Sequence, residues 1–500
     1  MPTTILIILL VLLIFVIAFI LVRTSAYLRP SEPVAPVELA SVDPDFVAGH
    51  LAEAIRCETI SRKDGDAADL AAFRELRRVL ESLYPRVHAT LEREIISDAS
   101  LLYTWRGTNL ELPPVLFCAH LDVVPADPST LDQWEYPPFS GIIADDFVWG
   151  RGTLDDKCQV IGLLEAAELL LKEDFTPERT IYFAFGQDEE IGGNKGAVQI
   201  AANLAERSEQ LEAVLDEGGG INQGVLPGID IPVALIGIAE KGSVSLHIKA
   251  AAQPGHSSMP GKTTAIGILA QAITRVEANP LPARLDFLRI IYSALGAAVK
   301  PTVQAAFANT WLFGGWLKRK LSANPNTNAS IRTTTAVTMV SGGVKENLLP
   351  AIAEAVVNYR LLPGDTAEDL AEYTRLVIND PRVTVEYNPE KAREASALTS
   401  PSGGAFQSLA TAIRQVYPGA EAAPYLVLGG TDARNYAGLS DQVLRFTPLL
   451  TTPDDISRVH GINERVHVGS LARMVQFYMH LFDLWAGGET GTPTRETPGV

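Results

Sequence analysis

At several places in this 500-residue chain, an apolar run ends in acids or a histidine. The first is Pro114-Val-Leu-Phe-Cys-Ala-His120-Leu-Asp122. A strand sends alternate side chains to one face, so His120 and Asp122 can leave a sheet end together while Leu121 turns away. A histidine beside a carboxylate suits a metal ligand and the partner that orients it. Alone, the pair also fits a surface histidine next to a turn aspartate. The glycine-rich turn Gly150-Arg-Gly-Thr-Leu-Asp155-Asp156-Lys157 then delivers carboxylates just before a helical stretch, and by itself it fits a capped helix start.

The strand-like residues 180–185 run into Gly186-Gln-Asp188-Glu189-Glu190, where adjacent acids repel unless a cation sits among them or water surrounds them. Another strand-like piece ends in Asp216-Glu217-Gly218-Gly219-Gly220, and Arg458-Val-His460-Gly-Ile-Asn-Glu464 places a histidine in a loop before the last helix. His120, Asp155, Glu190, His460 and either Asp216 or Glu217 make a ligand set of nitrogen and oxygen without sulfur. That set suits a zinc pair bridged by one carboxylate and one water or hydroxide.

The elements that must position these residues follow from the patterning. Residues 5–22 form an unbroken apolar run of about eighteen residues, near the length that crosses a bilayer as a helix. The start Met-Pro-Thr-Thr carries no basic side chain and the exit Arg23-Thr-Ser-Ala-Tyr lacks a small-x-small site, which favours an N-terminal transmembrane anchor over a cleaved signal. Residues 29–41, with Pro30, Pro33 and Pro36, read as an extended linker. Alternating helical and strand-like patterns over 42–242 predict an α/β catalytic domain, a mostly parallel sheet with helices on both faces and ligands at the strand C-termini. Residues 243–388 read as a smaller inserted α+β domain, and 389–485 return to the first domain. Residues 280–330, with Trp311 and Trp316, exceed what the inserted unit needs and fit either a cap over the site or a membrane contact. The polar residues 486–500 read as a disordered tail.

Bulk composition excludes other classes. With 41 basic against 59 acidic residues and a net charge of −18, the chain has no electrostatic footprint for nucleic acid. Cys57, Cys118 and Cys158 are odd in number and set in apolar contexts, so they form no disulfide framework.

Taken together, His120-Leu-Asp122-Val-Val-Pro125, Trp134-Glu-Tyr-Pro-Pro-Phe139, Gly150 to Lys157, Asp188-Glu-Glu-Ile-Gly-Gly193, Asp216-Glu-Gly218, Gly255-His-Ser-Ser258 and His460-Gly461 resemble the co-catalytic zinc peptidases. That family includes aminoacylase-1, carboxypeptidase S, acetylornithine deacetylase and glutamate carboxypeptidase, and the likeness runs over residues 45–485. The insertion carrying Trp311-Leu-Phe and the following Ile331-Arg-Thr-Thr-Thr-Ala336 resemble carboxypeptidase S and the N-fatty-acyl amino acid hydrolases more than the shorter deacylases.

The resemblance implies two Zn2+ per chain held by His120, Asp155 as bridge, Glu190, Asp216 and His460, with Asp122 orienting His120. Asp216 is preferred over Glu217 because carboxypeptidase S relatives share the Asp-Glu-Gly pattern. It further implies Glu189 as general base toward a metal-bridging water, His256 as an oxyanion donor, and Arg434, with Asn347 and Arg360, as substrate-binding residues. The implied activity is hydrolysis of an amide next to a free carboxylate, on short peptides or N-acyl amino acids; an inactive metal-binding or scaffold protein of the same fold is the alternative. Relatives imply an exported body, periplasmic, lumenal or extracellular, and in some cases a homodimer, whereas Arg23 and Arg29 argue for a cytoplasmic body. His50, His88, His247, His467 and His480 match no motif.

Overall fold

The computed structural model describes residues 2–27, 34–62 and 69–488. The first part of the expected linker, to residue 33, and the tail from 489 lie outside the described residues.

The runs Val115–His120 and Ile181–Gly186 are buried at every position, as central strands covered on both faces must be. With Ala213–Asp216 and Val443–Arg445 they form the parallel centre of a ten-stranded sheet, which turns antiparallel toward Ser100–Trp105 on one side and Val233–Glu240 on the other. One face is covered by the helices Pro44–Ile55, Lys157–Lys172, Gly404–Val416 and Val468–Ala486. Ala197–Glu206 and the short turn Asp432–Tyr436 cover the other face. Alternate residues of each strand feed these two cores: Val115, Phe117 and Ala119 enter the first, Leu116 and Cys118 the second. The fold is therefore a mostly parallel α/β sheet between helical layers, and the acids and histidines gather at its strand ends.

A separate four-stranded antiparallel sheet is ordered Thr334–Gly342, Ile352–Leu361, Gly242–Ala251, Val383–Glu386. Its strand Gly242–Ala251 alternates buried and open positions, and the buried side packs under the helices Ala265–Ala278 and Ala367–Ile378. Between the strands of this unit the chain leaves it. The helices Asp286–Ala294, Pro301–Ala308, Thr310–Leu321 and Pro325–Ile331 pack instead on Val233, Leu235 and Ala423 of the large sheet. Pro2–Tyr27 is a single helix, long and apolar enough to cross a membrane, with a mean hydropathy of 3.9 over its most apolar 18 residues.

Candidate metal centre

Four strand or loop ends converge on Asp155. Its Oδ1 lies 2.9 Å from His120 Nε2 and its Oδ2 2.9 Å from His460 Nε2, so one carboxylate faces two histidines. His460 Nε2 also lies 3.1 Å from Glu190 Oε1, and His120 Nε2 lies 3.6 Å from Glu217 Oε1. Two groupings bring their ligand atoms within 4.8 Å of one another: His120, Asp155 and Glu190, and His120, Asp156 and Glu217.

The electrostatics report a crowd of acids around few cations. Burial alone would raise Asp155, but hydrogen bonds from His120 and His460 overcome it and hold the carboxyl well below the usual range. Burial opposes charge on His120, yet its bonds to Asp122 and Asp155 hold the imidazolium well above its ordinary value. His460 is pushed up to about 10 by its bonds to Asp155 and Glu190. Glu189, Glu217 and Asp156 are all pushed well up, by burial first and then by neighbouring carboxylates. Protons on the two histidines thus stand where multivalent positive charge would serve better.

Several side chains hold this geometry. Asp122 is fully buried; its carbonyl oxygen lies 2.9 Å and its carboxylate 3.3 Å from His120 Nδ1. The same carboxylate accepts from the backbone N–H of Glu189 at 3.1 Å and of Glu190 at 3.2 Å, and from the Ser61 hydroxyl at 2.5 Å. It therefore ties the His120 strand end to the acidic turn after the neighbouring strand. Glu464 does the same for the remaining pair. Its Oε1 accepts from the N–H groups of Gly152, Leu154 and Asp155, and its Oε2 takes Arg151 Nη1 at 2.5 Å. Arg151 Nη2 in turn donates to the carbonyls of His460 and Gly461, both at 3.1 Å. His460 itself holds a left-handed φ of 60°, a costly conformation for a side chain with a Cβ, and this clip constrains it. At Gly193, with φ of 68°, a Cβ would stand 2.4 Å from Asp432 Oδ1, so only glycine lets Asp432 pack against the acidic turn.

Not every expected residue joins the cluster. Asp216 is 2% exposed and turned toward the opposite layer, where its Oδ2 accepts from Ala433 N at 2.5 Å and burial raises it to about 6. Glu217, not Asp216, faces His120. His256 and Asn347 come together on an exposed two-stranded ribbon: His256 Nδ1 accepts from Ser258 N at 3.1 Å, and the Asn347 carbonyl accepts from Ser257 N at 3.2 Å. Among the described residues, no hydrogen bond or ion pair links either one to the cluster. Arg360 is exposed on Ile352–Leu361, in register with Ser243 and Thr334. Arg434 Nε donates to Glu240 Oε1 at 3.3 Å, and the same oxygen accepts from Arg445 Nη2 at 3.2 Å.

Sequence reasoning gave no role to Asp156, Asp432 or Glu464. Asp156 is wholly buried, with Oδ2 accepting from His120 N and from Gln159 while Oδ1 has no partner. The signal available for Glu464 was its place four residues after His460; for Asp432, its place beside Arg434.

Histidines paired across a shared aspartate, with further acids at hand, are an arrangement that can hold metal ions. Residues 116–483 match the family described as Peptidase family M20/M25/M40, and the chain belongs to that family. It is 39% identical over 439 residues to the Probable carboxypeptidase S-like 2 of Dictyostelium discoideum, covering 87% of this chain and 84% of that one. It is 38% identical over 449 residues to the N-fatty-acyl-amino acid synthase/hydrolase PM20D1 of Xenopus tropicalis, covering 89% and 86%. In fold it is similar to the M20 family metallo-carboxypeptidase Sso-CP2 of Sulfolobus solfataricus, with a TM-score of 0.62 at 17% identity over 88% of this chain and 98% of that one. YXEP of Bacillus subtilis, similar in fold with a TM-score of 0.54 at 14% identity over 88% of this chain and 99% of that one, is a dinuclear metal-binding peptidase of the M20 family, and this chain is an enzyme of the peptidase and amidohydrolase class.

Proposed function

We propose that this protein is a membrane-anchored di-zinc hydrolase of amide bonds next to a free carboxylate, acting on short peptides and N-acyl amino acids. The observation that carries the reading is Asp155, with one oxygen on each histidine and Glu189 in the turn beside it. The donor set fits zinc: imidazole and carboxylate, no thiolate, and more buried negative charge than the histidines neutralise. His120, Asp155 and Glu217 would hold one ion, and Asp155, Glu190 and His460 the other. Glu217 replaces Asp216 in this assignment because its oxygen faces His120. When bound, the ions supply Lewis acidity toward the amide carbonyl and the attacking water.

The chain's own residues do the rest. Glu189, whose carboxyl burial pushes well above its ordinary range, takes one proton from water as the new carbon–oxygen bond forms. It returns that proton to the nitrogen as the carbon–nitrogen bond breaks, so acid and amine leave with atoms balanced. Asp122 keeps His120 and the Glu189 backbone in one frame. Arg434 and Arg445 share a single carboxylate, which leaves positive charge over on Arg434 for a substrate carboxylate. His256 and Asn347 would serve through closure of the inserted unit or from a second copy of the chain in a homodimer. Pro2–Tyr27 is the anchor, supported by its hydropathy and its unburied span.

The test is turnover by the purified, zinc-loaded full chain on dipeptides and on N-acyl amino acids with free and blocked carboxylates. Glu189→Gln should lower turnover by about 10²- to 10⁴-fold while two metals per chain remain. Wild-type turnover in that variant would refute the assignment.

A further inference from the structure

The helical insertion touches the apolar N-terminal helix at an informative depth. Val16, Ile20, Thr24 and Tyr27 form a half-covered stripe on Pro2–Tyr27, at the three- and four-residue spacing of one helix face. Against it Asn309 Nδ2 donates to the Ile20 carbonyl at 3.4 Å and to Thr24 Oγ1 at 3.2 Å. Ser293 Oγ donates to the Tyr27 carbonyl at 2.7 Å, and the Tyr27 hydroxyl donates to the Arg289 carbonyl. The Trp311 ring meets Phe19 edge-on, 5.9 Å between centroids. Phe19 lies inside the apolar run, about 4.5 Å below its last residue Val22 at a helical rise of about 1.5 Å per residue. A ring packed on Phe19 therefore sits at the depth where membrane proteins concentrate tryptophan.

The helix Thr310–Leu321 continues this pattern. Gly314, Leu317 and Leu321 are buried against the body, while Trp311, Leu312 and Trp316 stand 55%, 48% and 54% exposed on the outer side. Exposed Lys318, Arg319 and Lys320 follow in its last turn, with Lys320 Nζ 5.1 Å from the Trp316 ring centre, and Arg23 lies over Phe19 at 5.6 Å. Large apolar rings rimmed by cations, on a helix of this length, are the makeup of an interfacial membrane helix.

We propose that the Trp311, Leu312 and Trp316 face lies in the headgroup region of the same bilayer that Pro2–Tyr27 crosses, with Lys318, Arg319 and Lys320 against lipid phosphates. This rests on the membrane-span reading above. It gives the catalytic body a second membrane contact, so the body is held on the surface instead of swinging on its linker, beside a bilayer into which long-chain acyl amino acids partition.

The test uses the full chain in phosphatidylcholine/phosphatidylglycerol nanodiscs carrying a lipid-borne quencher. Because Cys57, Cys118 and Cys158 are buried, a thiol-reactive fluorophore can be directed to Phe15→Cys in the span, Leu312→Cys on the proposed face, or Leu376→Cys, 70% exposed on the inserted unit. Quenching at 15 and 312 but not at 376 is the expected result. Quenching at 15 without quenching at 312 overturns the docked face and leaves the span standing. Equal quenching at 312 and 376 also overturns it. No quenching at 15 or 312 removes the span reading and the docking with it.

Discussion

Glu464→Gln isolates what holds the two halves of the metal centre together. Glu464 is fully buried, accepts three backbone N–H groups of the turn that carries Asp155, and pairs with Arg151, which is 3% exposed. Glutamine keeps one oxygen for the backbone donors but turns an NH₂ toward the guanidinium, donor against donor, and leaves Arg151 without its counter-charge. Removing one member of a buried pair costs about 3 to 5 kcal/mol, and the retained backbone bonds place this substitution near the lower figure. Slack in the clip also loosens His460, whose carbonyl Arg151 holds, and a lost orienting contact of this kind lowers metal affinity by about 10- to 100-fold. Urea denaturation of the metal-free protein reads the first effect and zinc competition with a chelator the second. Adding Arg151→Met removes the opposed donor, so the double variant should regain stability relative to the summed single losses. Its metal affinity should stay low, because the bonds to the His460 and Gly461 carbonyls are gone. Glu464→Gln with unchanged denaturation and unchanged zinc affinity would refute the positioning role.

Glu217→Ala should leave one tightly held metal per chain after dialysis while Asp216→Asn keeps two; metal analysis giving the opposite pattern would restore Asp216 as the ligand. Zinc uptake by the metal-free protein should release one imidazole proton per ion, from His120 at one site and His460 at the other, so the affinity for each ion should rise with pH by up to about tenfold per unit near neutrality, measurable by calorimetry in buffers of different ionisation enthalpy. The sign for folding is the reverse: His460 rises from 6.5 to about 10 on folding, so its stabilisation is complete below 6.5 and is lost as pH climbs through about 10. Because buried Lys157 and Lys241, both lowered to about 8, change stability in the opposite sense, the readout is the difference between the metal-free wild type and His460→Gln, which should shrink over that interval; a difference that grows would contradict the contacts to Asp155 and Glu190. Asp122→Asn should slow turnover without emptying the site, since asparagine keeps an acceptor oxygen for one of the Glu189 and Glu190 N–H groups, which bond different carboxylate oxygens, and turns its NH₂ toward the other; loss of both metals would make Asp122 more than an orienting partner.

What was legible in the chain follows from which forces act locally. Fully apolar strands ending in glycine and acid announce a parallel sheet with a site at its strand ends, because burial on both faces and charge at the terminus are properties of the segment itself. His120 and Glu190 stood out on that basis, Asp155 in a glycine-rich turn and His460 in a loop before the last helix, and the fold brings the four side chains together. The choice between Asp216 and Glu217 was not legible, for it depends on where the chain leaves the strand. Gly218, Gly219 and Gly220 all adopt positive φ, so the backbone turns directly after Glu217 and swings that side chain over the strand end, while Asp216 stays in register and reaches the Ala433 N–H. Glu464 was illegible for a related reason: its partners lie more than 300 positions away, and a buried carboxylate that serves backbone donors carries no periodicity. The insertion shows the same limit. Trp311 and Trp316 mark an apolar face in sequence, but the proposed reading of that face as a membrane contact instead of a cap over the site rests on Asn309 and Trp311 meeting Ile20 and Phe19, a pairing that only the assembled fold supplies.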